Sequence, residues 1–198
     1  TVNPVTTVQV GTYVSGPIRE LFVDFNSPVR KGQPVAKIDP RPFLVRVQQA
    51  EASVANARAR VAKAKADLEQ KASQLARSRE LHAASYLSES QLDVARSDHG
   101  QAAAQLALDE AAVRQAEAAL AEAEIQLGYT DITSPVDGVV VSRNVNVGQT
   151  VAASFQTPTL FLIAEDLTQM QVNTNVSESD IGGVHEGQSA TFSVDAHP

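Results

Sequence analysis

An α+β fold is predicted for this chain of 198 residues: a β-sandwich whose two halves are separated in sequence by a long antiparallel helical hairpin. Three observations predict it. Residues 43 to 134 contain no proline and only two glycines, Gly100 and Gly128, while 24 of the 30 alanines fall between positions 42 and 127. Within that stretch apolar residues return every seventh position, in two successive series. On either side of it lie two segments that match each other at fixed spacing from a glycine.

The Ala-rich, Pro-free stretch carries Glu, Gln, Arg and Lys, the residues that long helices favour. Val47, Val54, Val61, Leu68 and Leu75 form the first heptad series, and Leu92, His99, Leu106, Val113, Leu120 and Leu127 the second. Most are followed three positions later by alanine, giving each helix a seam of alternating large and small side chains. Between the series only residues 84–88 remain, too few for anything but an antiparallel return. Ser88 followed by Gln91 is a capping box that opens the second helix. Asp39 ahead of Pro40 is expected to cap the first, and Gly128 after Leu127 to end the second in a left-handed turn.

A turn centred near residue 85 makes facing residues sum to about 170. That register pairs Val47 with Ala123, Ala50 with Leu120, Val54 with Ala116, Ala57 with Val113, Ala64 with Leu106 and Leu68 with Ala102. Each layer sets one large residue against one alanine, so the backbones can approach closely. Val61 opposite Asp109, Lys71 opposite His99 and Ser78 opposite Leu92 break the rule, and a looser, solvated seam is expected in the distal half. Helices of about 42 residues are roughly 63 Å long at the standard rise.

In the flanks, Gly16 is followed ten residues later by Asn26 and thirteen later by Val29, and Gly138 at the same distances by Gly148 and Val151. Asn and Gly both tolerate the left-handed conformation of a tight turn. Each copy ends in an apolar strand, Val35 to Ile38 or Leu160 to Ile163, so two quasi-symmetric four-stranded halves are expected. Thr168 to Val176 and Ser189 to Val194 read as further strands, joined by a short helix that Ser177 could cap.

Composition excludes several functions. With no Cys there is no disulfide scaffold, thiolate zinc site or cysteine nucleophile. A formal charge of −7 argues against a nucleic-acid reader, which needs a basic stripe. The longest apolar runs are short, such as Leu160 to Ala164, so the chain as it stands is expected to be soluble, without a membrane span or signal peptide. His82, His99, His185 and His197 are scattered without metal-ligand spacing, Lys31-Gly32 lacks the glycine-rich lead of a phosphate loop, and Gly182-Gly183 reads as a turn. Glu165 with Asp166 and Glu178 with Asp180 read as loop and helix-start charges. No enzyme, metal site or cofactor is expected.

The stretch from Val14-Ser-Gly-Pro-Ile-Arg-Glu-Leu21 to Arg30-Lys-Gly-Gln-Pro-Val-Ala-Lys-Ile-Asp-Pro40 resembles the periplasmic adaptor, or membrane fusion, family. So do Ser134-Pro-Val-Asp-Gly-Val-Val140, Val147-Gly-Gln-Thr-Val151 and Ala164-Glu-Asp-Leu167. Asn175-Val-Ser-Glu-Ser-Asp-Ile181 and Glu186-Gly-Gln188 look most like the MacA-type adaptors of macrolide efflux. The resemblance implies a lipoyl-like β-sandwich split by a coiled-coil hairpin and followed by the start of a β-barrel domain. It divides the chain into residues 1–39, the hairpin at 40–127, the second sandwich half at 128–166, and a partial barrel at 167–198. A full adaptor is expected to begin with a membrane anchor before Thr1 and to continue beyond Pro198.

The same resemblance implies a non-catalytic periplasmic protein. It bridges an inner-membrane ABC transporter to a TolC-like outer-membrane channel, as a homo-oligomer with six copies in a ring, without cofactor or nucleic acid. Arg77, Leu81 and Ser88 match the spacing of the family's Arg-Leu-Ser docking motif at the hairpin tip. Phe155 and Gln156, in the loop joining two strands of the second half, are the candidates to face the conduit that such a ring implies, and movement is expected to pass through hinges at residues 39–42 and 127–130. The alternatives are an adaptor for a proton-driven RND pump or a type I secretion system, a lipoyl or biotinyl carrier, and a coiled-coil tether. The carrier reading needs a modified Lys at the turn that the hairpin replaces.

Overall fold

Two sheets of four strands form the body, and each draws two strands from each half of the chain. The computed structural model describes residues 2–153, 158–166, 170–177, 181–183 and 185–191. In chain order the elements are β1 (Val2–Pro4), β2 (Thr7–Val10), β3 (Gly16–Leu21), β4 (Pro28–Val29), β5 (Pro34–Ile38), α1 (Arg41–Ala83), α2 (Glu89–Gly128), β6 (Asp131–Thr133), β7 (Gly138–Arg143), β8 (Thr150–Val151), β9 (Phe161–Ala164) and β10 (Met170–Val172). The sheets run β2-β9-β7-β4 and β6-β5-β3-β8, all neighbours antiparallel. Exchanging the halves converts one sheet into the other.

The predicted repeat is the cause of this interlock. Gly16 opposes Val151 where β3 meets β8, and Gly138 opposes Val29 where β7 meets β4. Asn26 at φ 61° and Gly148 at φ 82° make the left-handed turns that turn each short strand onto the opposite copy. Their amides donate to equivalent acceptors, Asn26 to the Val140 carbonyl at 2.9 Å and Gly148 to that of Ile18 at 2.8 Å. Between the sheets Ile18, Val35, Ile38, Val140, Phe161 and Ile163 are all but fully buried.

The hairpin is an insertion between adjacent strands. β5 and β6 pair antiparallel, Ile38 N–H donates to the Thr130 carbonyl at 2.9 Å, and Lys37 reaches Asp131 at 2.8 Å. Phe43 from the first turn of α1 enters the sandwich core, with Leu127 from the last turn of α2 packed against it. The expected cap on α1 is displaced by one residue. Pro40 holds the cap position and has no side-chain acceptor, so Asp39 reaches past it to accept the Arg41 amide at 3.1 Å. Arg41 turns back onto the same carboxylate, Nη2 to Oδ2 at 2.6 Å, and holds its pKa down at about 2.

Gly128 departs from expectation. It stays helical without positive φ, because the helix is closed by Thr130, whose amide and hydroxyl both donate to the Leu127 carbonyl, at 3.0 and 2.7 Å. The segments at the predicted hinges are held by several hydrogen bonds. Asp39 and Thr130 are buried, and the Asp39 amide donates to the Pro17 carbonyl at 3.0 Å.

Side-chain bridges between the helices support the predicted register: Arg46 to Gln126, Arg58 to Glu117 and Lys71 to Asp98 are pairs whose numbers sum to values near 170. The expectation of a loose distal seam is overturned. Leu75, Leu92 and Ala95 form a buried cluster with Leu87 packed on it, because the turn folds Leu87 back over the helix ends. Lys71, expected to face His99 in a solvated gap, pairs instead with Asp98 at 2.9 Å, which raises its pKa. Leu92, expected to be solvated opposite Ser78, is 4% exposed.

Outside the sandwich, β1 pairs with β10 in a two-stranded sheet. The strand expected over 168–176 is confined, among the described residues, to Met170–Val172, and the expected short helix is a 3₁₀ turn at Ile181–Gly183. Residues 189–191 of the expected last strand have no strand structure. No helix among the described residues is long and apolar enough to cross a membrane.

Candidate docking tip

The end of the hairpin is a rigid, partly apolar knob. Helix α1 stops in a Schellman arrangement: the Ser85 amide donates to the His82 carbonyl at 2.9 Å, and the Tyr86 amide to that of Leu81 at 2.8 Å. Such a stop needs a left-handed residue after the cap, and Ser85 takes that place at φ 61° where glycine is usual. Nδ1 of His82 lies 3.0 Å from the Leu87 carbonyl oxygen and donates to it in the tautomer protonated there. On the return, Ser88 accepts the Gln91 amide at 3.4 Å while Gln91 Oε1 accepts from the Ser88 amide at 3.2 Å and its hydroxyl at 3.0 Å. The expected capping box is complete.

The three motif residues sit as follows. Arg77 and Leu81 are one helical turn apart on α1, both exposed, Leu81 by 47%. Ser88 is exposed at the start of α2, with its proton committed to Gln91, so it can offer an outside partner only acceptor capacity. Sequence reasoning missed Tyr86, which is 82% exposed at the apex. The signal was weak: a tyrosine in a short turn reads equally well as one packed back on the helix ends.

Phe155 and Gln156 lie outside the described residues, as does His197. Just before them, after β8, the Ala153 amide donates to the Ser15 hydroxyl at 2.8 Å. At the hairpin base an open groove of about 640 Å³ runs along β2 and β6, beside Tyr13 and Tyr129, whose ring centroids are 4.9 Å apart. Among the described residues no three His, Asp or Glu side chains gather as a metal set would require.

The barrel-sandwich hybrid domain of RND membrane fusion proteins matches residues 6–163. The chain belongs to the membrane fusion protein family. This membrane fusion protein is 34% identical over 191 residues to the macrolide export protein MacA of Yersinia pestis, covering 96% of the chain and 51% of that relative. It is 37% identical over 192 residues to the pyoverdine export membrane fusion protein PvdR of Pseudomonas putida, covering 97% and 49%. The chain thus spans about half the length of these curated relatives. Among solved structures, MacA from Actinobacillus actinomycetemcomitans superposes with a TM-score of 0.83 at 34% identity, covering 92% of this chain and 56% of that one. A MacA–MexA chimera containing the MexA α-hairpin domain of Pseudomonas aeruginosa is also similar, with a TM-score of 0.58 at 34% identity over 91% and 55% of the two chains. The predicted sandwich, split by an antiparallel hairpin, is therefore both the observed architecture and that of the family.

Proposed function

We propose that this chain is the hairpin-bearing part of a periplasmic adaptor in a tripartite efflux pump, joining an inner-membrane ABC-type exporter to a TolC-like outer-membrane channel. The observation that carries the proposal is the hairpin itself. Helices of 43 and 40 residues, about 60 Å long at 1.5 Å per residue, are clamped to the sandwich at one end and present an ordered, exposed tip at the other. Such a strut bridges distance and supplies no chemistry, so transport energy comes from the pump. The names of the relatives, macrolide export, pyoverdine export and multidrug resistance, agree with export as the common task.

In this reading Arg77, Leu81 and Ser88 contact the channel, with the Arg77 guanidinium offering a fork of donors to carbonyls or carboxylates. Phe155 and Gln156 line the conduit, and six copies close a ring in the periplasm, held to the inner membrane by an anchor outside this chain. A second reading, pairing with a proton-driven RND pump, is favoured by the RND description of the matching domain. Leu81→Asp tests the docking role. Its side chain is half exposed and outside the buried clusters, so circular dichroism and melting should stay nearly unchanged while export stops. A Leu81→Asp protein that still supports export removes the docking proposal. Cross-linking from cysteines at 81 and 88 in cells, with identification of the captured partner, separates the channel from other tip contacts.

A further inference from the structure

Of the three tyrosines in the sequence, two account for each other and one stands apart. Tyr13 and Tyr129 place their ring centroids 4.9 Å apart at the hairpin base. Tyr86 stands at the apex, 82% exposed, and neither its ring nor its phenol has a partner among the described residues. A single exposed aromatic side chain is ordinary on a protein surface. The surroundings of this one are not.

The backbone is fixed on both sides of Tyr86. Its own amide donates to the Leu81 carbonyl at 2.8 Å, and Ser85 before it holds the left-handed conformation. After it, the Leu87 carbonyl oxygen lies 3.0 Å from Nδ1 of His82, and the Leu87 side chain packs on Leu75, Leu92 and Ala95. A tyrosine offers about 150–250 Å² of surface for burial, and only its two side-chain torsions remain to be ordered here. The ordering that a flexible loop would undergo on binding has already taken place in folding.

The hydrogen-bonding capacity of the tip is also one-sided. The Ser88 hydroxyl donates to Gln91, which leaves it acceptor capacity only. The Arg77 guanidinium and the Tyr86 phenol are unengaged among the described residues, and both can donate. Leu81, half exposed and joined to Tyr86 through its carbonyl, adds an apolar flank. This set fits a cleft with apolar walls and acceptor groups, and it disfavours a basic surface, which Arg77 would repel.

We propose that Tyr86 is a specificity-determining residue of the tip, its ring entering an apolar cleft of the outer-membrane channel and its phenol donating to a carbonyl or carboxylate there. This rests on the docking reading above and adds to Arg77, Leu81 and Ser88 a residue that the motif spacing does not mark. The ring supplies most of the affinity. The hydroxyl supplies discrimination, because a channel acceptor in a desolvated cleft is left unpaired when the donor is lost.

The test is titration of the full-length adaptor, purified in detergent, with a purified TolC-like channel. Tyr86→Ala should weaken binding about a hundred-fold, and Tyr86→Phe, which keeps the ring, about ten-fold. Tyr13→Ala removes a tyrosine that is 80% exposed at the other end of the hairpin and should leave the Kd unchanged. Three results would overturn the proposal: Tyr86→Ala binding as tightly as the unsubstituted protein, Tyr86→Phe binding as weakly as Tyr86→Ala, or Tyr13→Ala weakening binding as much as Tyr86→Ala. Leu81→Asp keeps the two claims apart. Binding lost in Leu81→Asp but unaltered in Tyr86→Ala sinks the role of Tyr86 alone, whereas an unsubstituted adaptor that does not bind the channel sinks the docking reading and this proposal with it. A photo-cross-linker attached through Tyr86→Cys should capture the channel, and capture of a second adaptor in its place would also overturn the proposal.

Discussion

Gly16 and Gly138 hold equivalent places in the two halves, yet alanine at the two positions should have different consequences. A Cβ on Gly138 would lie 2.1 Å from the Ala164 carbonyl oxygen and 2.9 Å from its carbon, whereas one on Gly16 would meet only Cγ2 of Ile38, at 2.7 Å. The first obstacle is backbone of β9, which cannot retreat. It is paired on both sides, with β2 and β7, and Phe161, Ile163 and Ala164 are completely buried. Separating β7 from β9 by about 1 Å forfeits roughly two ladder hydrogen bonds at about 1 kcal/mol each. Overpacking strain adds about 1–3 kcal/mol. Gly138→Ala should therefore cost about 3–5 kcal/mol. At Gly16 a buried isoleucine methyl has to be displaced, which costs about 1–2 kcal/mol. The entropic gain of replacing glycine is similar in both and cancels in the comparison. Because the helices dominate circular dichroism, the readout should be amide hydrogen exchange of β7 and β9 measured by mass spectrometry. At about 1.4 kcal/mol per factor of ten, Gly138→Ala should speed exchange there by some hundred-fold or more. A Gly138→Ala protein that exchanges no faster than Gly16→Ala would refute the reasoning.

Gly100 sits inside α2 with nothing within 4 Å of the place a methyl group would take, so Gly100→Ala should raise stability by about 1 kcal/mol, seen as a higher melting midpoint; a lower one would mean the glycine serves a contact. Ser85→Gly should also stabilise, by about 1 kcal/mol in urea unfolding, by relieving the left-handed conformation, and a loss would show that the serine side chain matters more than its backbone. Asp39 titrates at about 2 instead of 3.8 because it is bonded to Arg41, so its contribution is complete above about pH 4 and fades as pH falls through about 2. Asp39→Asn should thus lower the urea midpoint near neutrality by an amount that shrinks toward about pH 2, and a pH-independent difference would show that the carboxylate charge is not involved.

What was legible in the sequence was whatever repeats. Heptads gave the helices and their register, and the spacing from Gly16 and Gly138 gave the halves, because a tight turn and a close strand crossing each admit few residue types. The interlock was not legible: matching spacing shows that two segments are alike, but not that each lends its second strand to the other's sheet. Local endings mislead wherever a side chain does work usually done by backbone. Thr130 closes α2 with its hydroxyl, which leaves Gly128 free to stay helical, and Ser85 fills a glycine position with no outward sign. At the tip the motif spacing points to Arg77, Leu81 and Ser88 as candidates, while the outward placement of Tyr86 became visible only from its exposure.

The base of the hairpin bears on how motion could pass through the molecule. A hinge requires a segment whose bonds open cheaply, with few buried contacts and solvent-exposed backbone. Here the connections carry the opposite features: Ile38 bonded to Thr130, Asp39 bonded to Pro17 and clamped by Arg41, Thr130 bonded twice to Leu127, and Phe43 in the sandwich core. Rotating the hairpin about this base would break several of these together and expose Phe43, which disfavours a hinge here. Bending is then expected along the helices, where layers of one large residue against one alanine and two ion pairs join α1 to α2.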